Sequence, residues 1–151
     1  MKQGKGADLG SLLPAVGQAW RRALGQRLSA DQLSDATVLP ILLLLRAGDK
    51  LMRQHELAKH LGLENSAVVR LLDTLEKGGL LRRLEDPLDR RAKLLELTDE
   101  GVVLGRRADK VALVLREELL GDIEPDDIAT AYRVLLKVFS ALDDCQARSK
   151  G

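Results

Sequence analysis

At 151 residues the chain can build one domain with its own core, and its apolar residues (45%) include very few aromatics (2%). That composition favours helices packed on helices over a β-sandwich and excludes an aromatic stacking platform for single-stranded nucleic acid. The formal net charge of +1 announces no anionic partner, so any such role must rest on local charge.

Residues 1–8, rich in Gly and Lys, are expected to be mobile. From Leu9 to Leu28 apolar residues recur with a helical period, and Arg21, Arg22 and Arg27 lie towards the C-terminal end. After a loop over 29–33, Ser34 is a candidate N-cap, with Asp35 where the helix dipole favours an acid. Residues 35–46 are almost wholly apolar and predict a buried helix. Pro40 interrupts it, so either that helix starts later than Ser34 suggests or it is kinked. A short helix over 53–61 ends at Gly62, and a second over Glu64–Lys77 ends at Gly78-Gly79. Two helices joined by a brief turn around glycine form a helix-turn-helix pattern.

Leu80–Leu84 and Lys93–Leu97 read as strands around a turn holding Asp86, Pro87 and Asp89, with Arg90 and Arg91 at its tip. Asp-Pro favours a type I turn because Pro pre-sets φ at its second position. Thr98 is an N-cap followed by Asp99 and Glu100; the long helix it starts runs to about Leu120 and breaks at Gly121. A last helix covers Pro125 to about Asp144, with Pro125 in its first turn. The fold class is therefore mainly α with a small β-hairpin wing: a winged helix-turn-helix joined to a helical region. Residues 117–127 carry Glu117, Glu118, Asp122, Glu124, Asp126 and Asp127 and no base, whereas residues 1–30 set Lys2, Lys5, Arg21, Arg22 and Arg27 against Asp8. This asymmetry gives one face for an anionic partner and one turned away from it; solvated helix faces explain the acidic run equally well.

On the 64–77 helix, Val68, Leu72 and Leu75 should face inward, and Ser66, Arg70, Asp73 and Lys77 form an outward stripe. Asn65, Ser66 and Arg70 occupy the turns of a recognition helix that meet base edges; Arg pairs bidentately with guanine and Asn with adenine. Gln54 and His55, at the start of the preceding helix, are candidates for contact with DNA, His55 on the phosphate side. In the wing, Arg90 and Arg91 are candidates for the groove, since narrow A·T-rich minor grooves attract arginine. Asp89, two residues before Arg91, can hold its guanidinium in one orientation. Lys93, Arg82 and Arg83 meet either phosphates or solvent. Trp20, with Arg21 or Arg22 to pair a carboxylate and Val38 nearby, is a candidate ligand pocket; the competing reading makes Trp20 a core or dimer-interface residue. His55 and His60 are five apart and cannot share a metal. No phosphate loop, nucleophile–base pair or cofactor motif is present, so neither an enzyme nor a cofactor is expected.

The segments Leu57–Leu63, Leu72–Leu80, Asp89–Lys93 and Leu97–Gly101 resemble the MarR family of transcriptional regulators, most closely its SlyA-like branch, which also carries a Trp-Arg pair in the first helix, here Trp20-Arg21. The resemblance spans residues 9–143. It implies a homodimeric winged-helix repressor that binds a palindromic double-stranded operator and releases it on binding a small acidic or aromatic ligand. It puts the recognition positions on Asn65, Ser66 and Arg70, and the wing arginine on Arg91 with Asp89 as its holder. Glu64 stands where many members have a Ser or Thr cap, and Val38 or a neighbour replaces an early aromatic of the second helix. Relatives that sense peroxide use a cysteine in the first helix; the single cysteine here, Cys145, lies near the C-terminus, so no thiol switch is expected.

The expected organisation is one domain over 1–151, with residues 34–98 as the DNA-reading part and residues 9–30 and 99–144 as the dimerisation part. A lone cysteine allows no intrachain disulfide, no N-terminal signal pattern is visible, and the longest apolar run, Val38–Leu45, is too short to span a bilayer. A cytoplasmic protein without membrane contact is expected. The alternatives are a winged-helix protein-interaction module and an architectural DNA-binder that needs no effector.

Overall fold

The structure, a computed structural model, describes residues 8–149. Lys2 and Lys5, and all but Asp8 of the segment expected to be mobile, lie outside the described residues. The chain runs α1 (Leu9–Ala30), α2 (Asp35–Ala47), β1 (Met52–Arg53), α3 (Gln54–Leu61), α4 (Asn65–Lys77), β2 (Leu81–Asp86), β3 (Asp89–Leu97), α5 (Asp99–Leu120) and α6 (Pro125–Arg148). Its contacts group it into two compact units, residues 1–113 and 114–151. No single helix among the described residues is long and apolar enough to cross a membrane.

In the first unit the core sits where α2, α3, α4 and the sheet converge. Ile41, Leu57, Val68, Leu72, Leu81 and Leu95 are among its members, each essentially out of contact with water. The periodicity of the helices explains the set: Val68, Leu72 and Leu75 line one stripe of α4, as expected from sequence. Six or more leucine-sized side chains, each worth about 1.5–3 kcal/mol when buried, make this cluster the main source of stability for the unit. α2 runs unbroken from Asp35 through Pro40, so the helix does not start late. Pro40 is itself buried and serves as core filling. Ser34 is extended at the N-cap position, but its hydroxyl makes no capping bond. Instead Asp35 Oδ1 accepts the Ala36 amide at 2.8 Å.

Three strands form an antiparallel sheet in the order β1-β3-β2. β1, which pairs Met52 with Leu95 and Arg53 with Leu94, has no counterpart in the sequence reading. Two residues are too few for a period of two to show.

The ends of the helices follow local chemistry. Gly62 (φ 64°) and Gly79 (φ 71°) take the left-handed conformation that closes α3 and α4. The Leu63 amide then reaches the Ala58 carbonyl, and the Leu80 amide reaches the Leu75 carbonyl, each at 3.0 Å. Thr98 caps α5 as expected, its Oγ1 accepting the Gly101 amide at 3.1 Å. Gly101 is obligatory for a different reason. A Cβ there would overlap the carbonyl oxygen of Leu80, whose bond from the Thr98 amide (3.1 Å) draws the first turn of α5 onto the end of the α4–β2 connection.

In the second unit, α6 begins with Pro125 in its first turn and has no buried residue. Its apolar side chains Tyr132, Leu135, Phe139 and Leu142 recur every three to four residues and are exposed. In the first unit, Leu9, Leu12 and Val16 of α1 are likewise exposed.

Candidate nucleic-acid interface

α3 and α4 are joined by a three-residue turn, Gly62 to Glu64, which makes the helix-turn-helix. Glu64 is extended at the N-cap of α4, and its carboxylate makes no capping bond. Asn65, Ser66 and Arg70 all stand exposed on the N-terminal half of α4, and no ion pair engages Arg70 among the described residues. Gln54 is half-buried and His55 exposed at the start of α3.

The outward stripe of α4 needs one correction. Asp73 does not face solvent as a free acid: Arg83 Nη2 donates to its Oδ1 at 2.6 Å. The same guanidinium reaches Glu76 Oε2 at 2.6 Å, and the Arg83 amide donates to Glu76 Oε1 at 3.1 Å. Arg83 is therefore a clasp between α4 and β2, its guanidinium committed to Asp73 and Glu76. Its side-chain and backbone hydrogen bonds, against the opposing effect of burial, hold the Glu76 carboxyl below the usual carboxylate range. Arg82, one residue earlier, points to the other face of the strand and pairs with Glu96 at 2.7 Å. Lys93 stands 3.8 Å from Glu85, an exposed pair of little energetic weight.

The hairpin also differs from expectation. The strands extend to Asp86 and Asp89, so Pro87 and Leu88 alone form the turn. Arg90 and Arg91 are not at its tip but are the second and third residues of β3, both exposed. Neither Pro87 nor Leu88 has positive φ, which agrees with the type I geometry expected of Asp-Pro. Asp86 is 4% exposed, the only polar residue buried to that degree among the described residues. Its Oδ1 accepts the Leu88 amide at 2.8 Å, while Oδ2 takes Arg53 Nε at 2.7 Å and Nη2 at 2.6 Å. The Leu88 amide is the main reason that the Asp86 carboxyl ionises below its ordinary range; desolvation opposes it, and the Arg53 bonds add to the lowering. Asp89 does not grip the Arg91 guanidinium. Its Oδ1 accepts the Arg91 backbone amide at 3.0 Å, an Asx-type bond to the main chain, and the Arg91 side chain is exposed.

Arg53 carries two jobs that sequence did not signal. It pins the wing turn through Asp86, and at the N-cap of α3 its backbone amide donates to Glu56 Oε2 at 2.7 Å, one half of a capping box. Arginine is outside the usual N-cap set, so only the acid three residues later hinted at it.

Arg21 and Arg22 line an open cleft of about 650 Å³ with Gln18, Gly25, Gln26, Ser29 and Asp35. Trp20 and Val38, expected beside them, do not line it. Trp20 is half-buried, and Val38, 1% exposed, lies within the core. The helical period explains the split, because Val38 shares its face of α2 with Ile41 and Leu42.

The model of the MarR family matches residues 37–93, from α2 into β3. The transcriptional regulator PA3341 is 39% identical over 90% of this chain and 98% of its own, with a TM-score of 0.76. A mutant of MarR from E. coli, complexed with operator DNA, is 30% identical over 86% of this chain and 92% of its own, with a TM-score of 0.64. The chain belongs to the MarR family. CouR from Rhodococcus jostii, bound to p-coumaroyl-CoA, is 28% identical over 91% of this chain and 96% of its own, with a TM-score of 0.73. MarR-family proteins are transcriptional regulators, and the mainly helical architecture with its small antiparallel sheet is the winged helix of this family.

Proposed function

We propose that this MarR-family protein is a homodimeric repressor that binds a palindromic operator and leaves it when a small organic acid binds. One observation carries the DNA reading. The arginines of the winged helix divide into two groups: Arg53, Arg82 and Arg83 are neutralised within the fold, whereas Arg70 and Arg91 are exposed and engage no carboxylate among the described residues. Asn65, Ser66 and Arg70 read base edges in the major groove. Arg91, with Arg90 and Lys93, follows the adjacent minor groove and backbone, and Gln54 and His55 approach the phosphates. The E. coli relative crystallised with operator DNA supports this assignment.

Residues 34–98 are the reading part, and residues 9–30 and 99–144 the dimerisation part. The exposed apolar side chains of α1 and of α6 support that division, because such stripes are stable only when covered. The cleft beside Arg21 and Arg22 supports an acidic effector, and CouR, which holds an acyl-CoA thioester, shows that a relative accepts an aromatic ligand. The Trp20-Arg21 pair supports a reading within the SlyA-like branch. The protein acts by binding rather than by catalysis, in the cytoplasm.

The test is selection of bound duplexes from a random pool, repeated with aromatic and acyl acids. The expected product is a two-fold symmetric site, lost on addition of one acid class, whose affinity falls steeply with salt as counterions are released. A pool that yields no enriched sequence would overturn the reading.

A further inference from the structure

Leu88, at the apex of the wing, is 88% exposed, the highest value of any large apolar side chain among the described residues. A single exposed leucine needs no explanation by itself. Its support is unusual, however. The turn that presents it is held by a buried carboxylate, Asp86, which binds the Leu88 amide at 2.8 Å and is itself clasped by Arg53 at 2.6 and 2.7 Å. Burying a carboxylate is costly, and here the buried Asp86 holds the turn that presents an exposed apolar side chain. Arg90 and Arg91 follow within three residues, both exposed. The nearby acid, Asp89, spends one oxygen on the Arg91 amide (3.0 Å). The wing thus sets a hydrophobic side chain at its turn beside strand cations that bring it to a polyanion.

We infer that Leu88 is a specificity-determining residue that packs its methyl groups onto the floor and sugar walls of the DNA minor groove and excludes guanine there. The inference rests on the reading of the wing as a DNA contact. Its chemistry follows from the floor of that groove. At A·T pairs the floor offers acceptors and the flat adenine C2–H, and nothing protrudes. At G·C pairs the guanine 2-amino group stands up from the floor as a donor. Pressed against leucine it loses water and gains no acceptor, which is penalised. Arg91 attracts the wing to the groove, and Leu88 decides which floor it accepts.

Inosine isolates this effect, because I·C lacks the 2-amino group of G·C and keeps the rest of the pair. The duplex selected by the parent protein is footprinted to find the pairs under the wing tip. Those pairs are then changed to I·C or to G·C. The parent should bind the G·C duplex about tenfold more weakly than the I·C duplex, in line with the cost of one wrong base pair. In Leu88→Ala the two duplexes should differ by no more than about twofold, and Leu88→Met should restore the preference. Arg91→Ala should weaken both duplexes alike. Leu88 is exposed, so its variants should melt with the parent. If Leu88→Ala keeps the full preference while Arg91→Ala weakens binding, the wing touches DNA and the role of Leu88 is refuted. If neither substitution changes affinity, the wing reading falls and this inference with it.

Discussion

The arginines of the winged helix do different things in this protein, and the difference lies in what each side chain meets. Arg70 and Arg91 are exposed and uncommitted, so their losses should read differently on DNA. Arg91→Ala should weaken all related sites alike, by about 1–3 kcal/mol. Arg70→Ala should relax specificity at one position of each half-site. Titration of both variants over single-base operator mutants checks the pair; a positional effect of Arg91→Ala would reverse the assignment. Asp89→Ala should have a smaller effect than Arg91→Ala, because it frees a backbone amide and not the guanidinium. Arg82 and Arg83 make the sharper contrast. Arg83→Ala strands Asp73 and Glu76 and should destabilise the fold by about 1.5–3 kcal/mol. Arg82→Ala breaks an exposed pair with Glu96 and should cost about 0–1 kcal/mol. Urea denaturation of the two variants decides it. In the sequence these adjacent arginines are indistinguishable; alternation along β2 sends one to α4 and the other to β3.

At the scale of elements, two carboxylate clasps fix the wing: Glu76 joins α4 to β2, and Asp86 joins the turn to the start of α3. Both carboxyls ionise below their usual range in the folded protein. A depressed folded value means that the clasps contribute fully above the unfolded-state pKa and that this stability is lost as pH falls through the folded one. Thermal stability should therefore hold between pH 7 and 5 and fall on further acidification, and Glu76→Gln should flatten that fall while lowering stability at pH 7. A second contact joins α5 to the end of the α4–β2 connection through Gly101. Gly101→Ala must move a backbone carbonyl and should destabilise by about 1–3 kcal/mol. Gly105→Ala, whose Cβ would stand 3.2 Å from side-chain atoms of Ile41 and Leu45, should be milder because side chains yield more readily. Denaturant midpoints of the two variants rank them.

For the whole molecule the decisive prediction is the dimer. α6 keeps no side chain buried, and Tyr132, Leu135 and Leu142 repeat along it at helical spacing. Sedimentation at micromolar concentration should give about twice the chain mass. Leu135→Asp combined with Leu142→Asp should shift it to the monomer and abolish operator binding, since paired half-sites need a paired reader. Retained tight binding by a monomeric variant would disprove the proposed dimerisation part.

Local chemistry made much of this legible in the chain itself. Helical periodicity located the core stripe of α4, Gly62 and Gly78-Gly79 marked the helix ends, Thr98 marked the start of α5, and the motif from Leu57 to Gly101 carried the family. Each of these signals depends on neighbours within a few residues. What the sequence could not reveal depends on residues far apart. β1 exists only because Met52 meets Leu95. Asp86 is buried only because Arg53 arrives from another strand, and Arg90 and Arg91 left the tip because the strands paired further outward than their apolar cores required. Val38 went to the core and Arg83 to α4 for the same reason. Charge and polarity say that a side chain needs a partner, but only the tertiary fold decides whether that partner is DNA, water or another part of the chain.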